Sequence, residues 1–161
     1  SCPIGPHTTS GELYDQLSTL AAAPLISVLD ALASNTPIKA ITQTNQLASY
    51  APKITKQDAI INWTQPATHI AQQIQAFNPW PIARTNAGDE VLRVHQATTV
   101  NQTTTELPGT ILDINKTGIF VATGLHILQI RTIQFAGGKA LTLSDWLNAN
   151  KQTLYPGLIL K

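Results

Sequence analysis

The sequence predicts a mainly β fold with helices: a small β-barrel over residues 53–161, preceded by a helical stretch over residues 1–52. Three observations lead there. The hydrophobic period is helical near the N-terminal end and again around residue 70, then changes to two beyond residue 90. Formal charge changes sign at Ala51-Pro52, from −2 over residues 1–52 to +3 over residues 53–161, and such a break at a proline marks a domain boundary. A chain of 161 residues suffices for one domain with an appendage, burying roughly 68–70% of its unfolded surface without a metal or disulfide.

The elements follow in order. Thr9-Ser10-Gly11-Glu12 matches a capping box, in which the Thr9 hydroxyl meets the Glu12 amide and the Glu12 carboxylate folds back. Leu13, Leu17 and Leu20 then place an apolar stripe on a helix that Pro24 ends or kinks, and Leu25, Val28, Leu29 and Leu32 form the stripe of a second. Residues 35–50 lack a firm period and read as a linker with one short strand. The apolar faces of the two helices have no sheet of their own to cover, which points to a larger partner domain.

Thr64 is the expected N-cap of the next helix, with Pro66 in its first turn, and Ala67, Ile70, Ala71, Ile74 and Phe77 share one arc. His69 falls outside that arc and reads as a solvent-face residue. Asn78-Pro79-Trp80-Pro81 stops the helix at a stiff corner. Leu92 and Val94 alternate with Arg93 and His95, giving a half-buried strand. Residues 109–115 and 118–123 form a hairpin around Asn115-Lys116-Thr117-Gly118. In the following strand Leu128 and Ile130 share one parity and Ile133 and Phe135 the other, so a bulge is expected near Arg131-Thr132. Ser144 is the expected cap of a short helix through Trp146 and Leu147, and Leu158–Leu160 a last strand. Short strands with one late helix suggest a barrel of the oligonucleotide-binding type.

Charged residues make up 12% of the chain and hydrophobic ones 43%, with 21 Thr and 13 Gln filling the deficit, which excludes a disordered polyelectrolyte. A net charge of +1 and a pI of 7.9 do not by themselves announce a nucleic-acid or membrane-surface binder. Cys2 is alone, no Cys/His cluster has zinc spacing, and no unbroken apolar run approaches the ~18 residues of a membrane span. Asn-x-Thr sequons at Asn62, Asn101 and Asn115 are expected by chance in so Thr-rich a chain. A chain beginning at Ser1 without any methionine fits either removal of an initiator methionine or a piece of something longer.

Catalytic constellations are missing. Asp89-Glu90 is the one close acid pair and belongs to a turn, while His7, His95 and His126 stand in unrelated contexts. Ala136-Gly137-Gly138-Lys139 has no helix directly behind it and reads as a tight turn, not a phosphate cradle. Binding chemistry remains, in basic residues spread singly at Lys53, Lys56, Arg84, Arg93, Lys116, Arg131, Lys139, Lys151 and Lys161. Each alone is an ordinary solubilising charge; together they can contact a few phosphates. With only Phe120 and Phe135 on the strands, stacking of single-stranded bases is disfavoured over backbone recognition of folded RNA.

Several motifs resemble the methionyl-tRNA formyltransferase family. They are Leu47-Ala48-Ser49-Tyr50-Ala51-Pro52-Lys53-Ile54-Thr55-Lys56, Asn62-Trp63 and Ala76-Phe77-Asn78-Pro79-Trp80-Pro81, followed by Pro108-Gly109-Thr110-Ile111-Leu112, Val121-Ala122-Thr123-Gly124 and Gly138-Lys139-Ala140. Thr9–Asp15 is similar to the last helical part of that family's catalytic domain. The resemblance implies that residues 1–52 are the helical remnant, with linker, of an α/β Rossmann-like formyltransferase domain, and residues 53–161 an OB-like tRNA-binding domain. Lys53 and Lys56 match linker lysines that face tRNA, Arg93 and Lys139 fall on basic family positions, and Lys116 and Arg131 complete the expected tRNA contacts. Gln75, Gln96 and Gly138 stand where relatives carry basic residues, so this barrel is less basic than theirs.

By the same resemblance, the whole enzyme formylates the amino group of methionyl initiator tRNA with 10-formyltetrahydrofolate. Catalytic residues, folate contacts and any metal are expected to be absent from this piece, which is expected to be inactive alone. Its expected partners are initiator methionyl-tRNA and its own N-terminal catalytic domain, without a membrane, in a cytoplasmic monomer. Two alternatives share the architecture: a formyltransferase or formyl-folate hydrolase with another acceptor, or a barrel serving only as a structural brace.

Overall fold

The computed structural model describes residues 2–149 and 153–161, with Leu47 described by its backbone alone. Ser1 and Lys151 lie outside the described residues. The chain divides into two units, Ser1–Ile54 and Thr55–Lys161.

In the first unit one helix, α1 (Ser10–Ala33), replaces the two expected. Its capping box closes as anticipated, the Glu12 amide donating to Thr9 Oγ1 at 3.3 Å and the Thr9 amide to the Glu12 carboxylate at 2.8 Å. Pro24 sits inside the helix. A proline removes one intrahelical hydrogen bond, and the strong helix formers Leu20–Ala23 before it and Leu25 after it carry the helix through. No residue of α1 is buried, and its apolar side chains, Leu17, Leu20, Leu25, Val28, Leu29 and Leu32 among them, are exposed. With 24 residues, of which an 18-residue stretch has a mean hydropathy of 1.4, α1 is long and apolar enough to cross a membrane. No unbroken apolar run marks it in the sequence, because Ser18, Thr19 and Ser27 interrupt the run while leaving the average apolar. Beyond it, the expected linker strand is instead a single 3₁₀ turn, Asn45–Leu47, since a lone extended segment has no edge to pair with.

The second unit contains α2 (Ala67–Ala76), β1 (Ala83–Ala87), β2 (Glu90–Val100), β3 (Ile111–Asn115), β4 (Gly118–Ala122), β5 (Ile127–Phe135), β6 (Leu141–Thr142) and α3 (Leu143–Asn148). The antiparallel sheet runs β1-β2-β5-β4-β3, with β6 on β5. The last segment closes it into a barrel. Along β3 the Ile111 amide donates to Leu158 O and the Leu160 amide to Gly109 O; at β1, Asn86 and Lys161 exchange backbone hydrogen bonds of 2.6 and 3.0 Å. Residues 158–160 thus act as the expected strand, though Ile159 meets the sheet only in an isolated bridge with Thr110.

Ala67, Ile70, Ala71 and Ile74 put the buried face of α2 on β2 and β5, with Phe77 half-buried beyond it and His69 exposed. The N-cap is Pro66, not Thr64. Thr64 is engaged in a turn, its amide and hydroxyl both donating to Asn62 Oδ1, and the first helical amide, Ala67, is satisfied by Leu125 O. Thr142, not Ser144, caps α3 through the Asp145 amide, which puts both Leu143 and Trp146 on its buried face. The corner after α2 is a turn with cis bonds at Asn78-Pro79 and Trp80-Pro81.

The bulge expected near Arg131-Thr132 is present and has a counterpart opposite. Val94 pairs with Ile133, Gln96 with Thr132 and Ala97 with Ile130, so His95 on β2 and Arg131 on β5 are the unmatched residues. Leu128, Ile130 and Ile133 are consequently all buried. Strand β1 was not expected, because its buried positions are Ala83, Thr85 and Ala87, too small to stand out in a hydrophobic alternation.

Candidate nucleic-acid interface

Strand alternation sets which cations face water. Ala83, Thr85, Leu92 and Val94 are buried, so Arg84 and Arg93 project from the opposite face of β1 and β2, where they are cross-strand partners. Like charges directly opposite destabilise a sheet, so this pair is not explained by folding. Arg93 is in turn opposite Gln134 on β5. The Gln134 amide donates to Gly138 O at 2.8 Å, which holds the β5–β6 turn and places Lys139 next to the same row. His95 hydrogen-bonds Gln134 Oε1 at 2.9 Å, and Asn78 Nδ2 donates to His95 O at 3.0 Å.

A second group forms around Gln129, which is buried though polar. Its Nε2 donates to Thr117 O at 3.0 Å, and its Oε1 accepts from Thr98 Oγ1 at 3.3 Å and Arg131 Nη2 at 3.4 Å. Lys116 precedes Thr117 in the β3–β4 turn, so Lys116 and Arg131 flank one glutamine. Arg131 is three residues from Gln134 along β5, about 10 Å at strand rise.

Of the six residues singled out, the structure therefore groups Arg93 with Lys139 and Lys116 with Arg131. Lys56 is exposed in a separate turn whose Thr55 amide and hydroxyl donate to the Asp58 carboxylate at 2.7 and 2.8 Å. The Thr55 backbone amide, followed by its hydroxyl, holds the Asp58 carboxyl below its ordinary range. Lys53 is exposed in the first unit. Sequence reasoning left Arg84 among scattered charges, since its place opposite Arg93 requires β1. It also passed over Trp80 and Tyr155, which are exposed and offer flat apolar faces.

Two carboxyls among the described residues titrate below their ordinary range. Glu12, like Asp58, is lowered by hydrogen bonds from a threonine three residues before it, a capping arrangement. No group of three His, Cys, Asp or Glu among the described residues could hold a metal ion. What the barrel face can do is attract and position anions.

Residues 53–151 match the family model described as formyl transferase, C-terminal domain. The chain belongs to that family. Relatives extend the likeness beyond the matched residues. The chain is 47% identical over all 161 residues to the methionyl-tRNA formyltransferase of Legionella pneumophila strain Philadelphia 1, of which it covers 51%. It is 44% identical over 158 residues, 98% of the chain, to that of Nitrosococcus oceani, of which it covers 48%. This formyl transferase C-terminal domain chain thus spans about half the length of the curated relatives it matches. Among solved structures, a variant of HypX from Aquifex aeolicus aligns over 91% of the chain and 27% of its own, with a TM-score of 0.66 at 14% identity. HypX in complex with tetrahydrofolic acid aligns over 74% of the chain and 22% of its own, with a TM-score of 0.55 at 17% identity. These likenesses establish the fold.

Proposed function

We propose that the chain is the C-terminal part of a methionyl-tRNA formyltransferase and that its barrel binds the tRNA substrate. The whole enzyme transfers a formyl group from 10-formyltetrahydrofolate to the methionine amino group of initiator tRNA, with folate binding and chemistry on the part this chain does not span. Identity of 47% along all 161 residues to a protein of that name carries the reading. The outward cations support it: Arg93 and Lys139 on one row, Lys116 and Arg131 around Gln129, with Lys53 and Lys56 in the segment leading into the barrel. Phosphates, not base edges, are what such single, spaced cations recognise.

The exposed apolar face of α1 is assigned to packing against the N-terminal catalytic domain of the same protein, in a cytoplasmic monomer. A helix with no buried residue needs such a cover, and the relatives are about twice as long as this chain.

Filter binding of initiator tRNA across a salt series tests the barrel's role. Three to five phosphate contacts give a log–log slope near −3 to −4 and a dissociation constant of about 10⁻⁴–10⁻⁶ M. The Lys53→Ala, Lys56→Ala double variant should bind more weakly with a shallower slope. Salt-independent or absent binding refutes the assignment. Formylation by the full-length protein, with charged initiator tRNA set against other acceptors, tests the acceptor, and the isolated chain should transfer nothing.

A further inference from the structure

Beside β1 lies a cleft of about 180 Å³ lined by Ile60, Arg84, Thr85, Asn86, Val91 and Lys161. It exists because two separate segments share the strand's outer edge. Residues 59–61 bond to Arg84, whose amide donates to Ala59 O and whose carbonyl accepts from Ile61, while Lys161 bonds to Asn86 in both directions. The Thr85 hydroxyl also donates to Lys161 O at 2.9 Å. Both cations of the cleft therefore spring from backbone held by hydrogen bonds, so only their side-chain rotamers are left to order when they take up a ligand.

We propose that this cleft is a subsite for one backbone phosphate of RNA, held jointly by Arg84 and Lys161. None of its six lining residues has an acidic side chain, and the terminal carboxylate that Lys161 carries in this chain is bonded by the Asn86 amide and the Thr85 hydroxyl. The Thr85 hydroxyl is already committed, accepting from Trp63 Nε1 and donating to Lys161 O, so the Arg84 and Lys161 side chains are the groups left to meet an anion, with one positive charge in excess of the Lys161 carboxylate. Arg93, opposite Arg84 across the hairpin, adds a third positive charge to that face, a juxtaposition that an anion between the strands and solvent would relieve. Ile60 and Val91 supply apolar walls suited to the carbon edge of a ribose. The volume is below that of a cleft enclosing a whole small-molecule ligand, which fits one repeating unit of a polymer. The subsite deepens the tRNA-binding reading and rests on it.

The test uses the 161-residue chain, initiator tRNA and a salt titration with Arg84→Gln, Lys161→Gln, the double variant and Lys39→Gln as a charge control. Because both cations serve one phosphate, each single change and the double should flatten the log–log slope by about one phosphate's share. Between 50 and 200 mM salt, wild type should then lose about 3- to 4-fold more affinity than any of the three. Lys161→Gln leaves the backbone bonds to Asn86 in place, so it decides the matter even if Arg84→Gln melts early. Unchanged slopes alongside a binding wild type overturn the subsite and leave the tRNA reading standing. Flattening equal to that of Lys39→Gln, or flattening by the share of two phosphates in the double variant, also overturns it. A wild type that does not bind tRNA overturns the reading and the subsite together.

Discussion

Replacing Thr85 by valine should test how the barrel is locked shut. Thr85 is 2% exposed, and its hydroxyl accepts from Trp63 Nε1 at 3.0 Å and donates to Lys161 O at 2.9 Å. One hydroxyl thus ties the segment entering the barrel to β1 and to the closing strand. Valine keeps the shape and removes both bonds. Lys161 O still accepts from the Asn86 amide, but Trp63 Nε1 is left as an orphaned donor in a side chain only 5% exposed. An unsatisfied buried donor costs about 1–3 kcal/mol, so a loss of about 2 kcal/mol is expected. For a unit of this size that lowers Tm by roughly 8–10 °C. Urea unfolding followed by tryptophan fluorescence should show a lower midpoint with an unchanged m-value. A cycle with Trp63→Phe isolates the cause. Without the indole N–H there is no donor to orphan, so in that background Thr85→Val should cost under about 1 kcal/mol, a coupling of about 1 kcal/mol or more. Additivity within about 0.5 kcal/mol would refute the reasoning.

Gly124→Ala should be among the most damaging small substitutions. The new methyl would run into the Thr64 carbonyl oxygen, where the Gly124 amide now donates to Trp63 O and Gln65 O, and a loss of about 3 kcal/mol should appear in thermal melts. Ile70→Ala empties a fully buried site on α2 and should lower urea-unfolding stability by about 2–5 kcal/mol. Asp58 titrates below its ordinary value of 3.8 because Thr55 hydrogen-bonds the charged form. The unfolded chain therefore binds the proton first, and the contribution is whole above that value and lost as pH falls through the lower folded one. Asp58→Asn should flatten the acid limb of the stability–pH profile; an unchanged limb counts against the turn's role.

Much of the fold was legible because it lies in patterns that local chemistry enforces. The Thr9–Glu12 capping box, the α2 stripe from Ala67 to Ile74 and the phase slip between Ile130 and Ile133 all read directly from spacing. Two of the differences, the α2 cap and β1, turned in part on non-local contacts. Pro66 replaces Thr64 as cap because Asn62 claims the threonine and Leu125 O supplies the partner for the first helical amide. Strand β1 is built on alanines and a threonine, and it becomes a strand through β2 on one edge and residues 59–61 and 161 on the other.

The candidate interface was harder to read for a related reason. Net charge of +1 describes the whole chain, whereas an anion meets only the cations that share a face. Spacing in sequence separates Arg84 from Arg93 by nine positions and from Lys161 by 77, yet the hairpin sets the first pair opposite and barrel closure brings the last residue to the same edge. The same Lys161 backbone that completes the barrel positions a lysine for binding. Stability and recognition are therefore coupled at β1, which gives a consequence separate from either loss alone. Thr85→Val loosens the hold on Lys161 without removing a charge, so it should weaken tRNA binding while leaving the salt slope near that of wild type. Lys161→Gln should do the reverse, flattening the slope at unchanged Tm. If the two variants altered slope and Tm in the same proportions, the closing strand would have no role in binding beyond keeping the barrel folded.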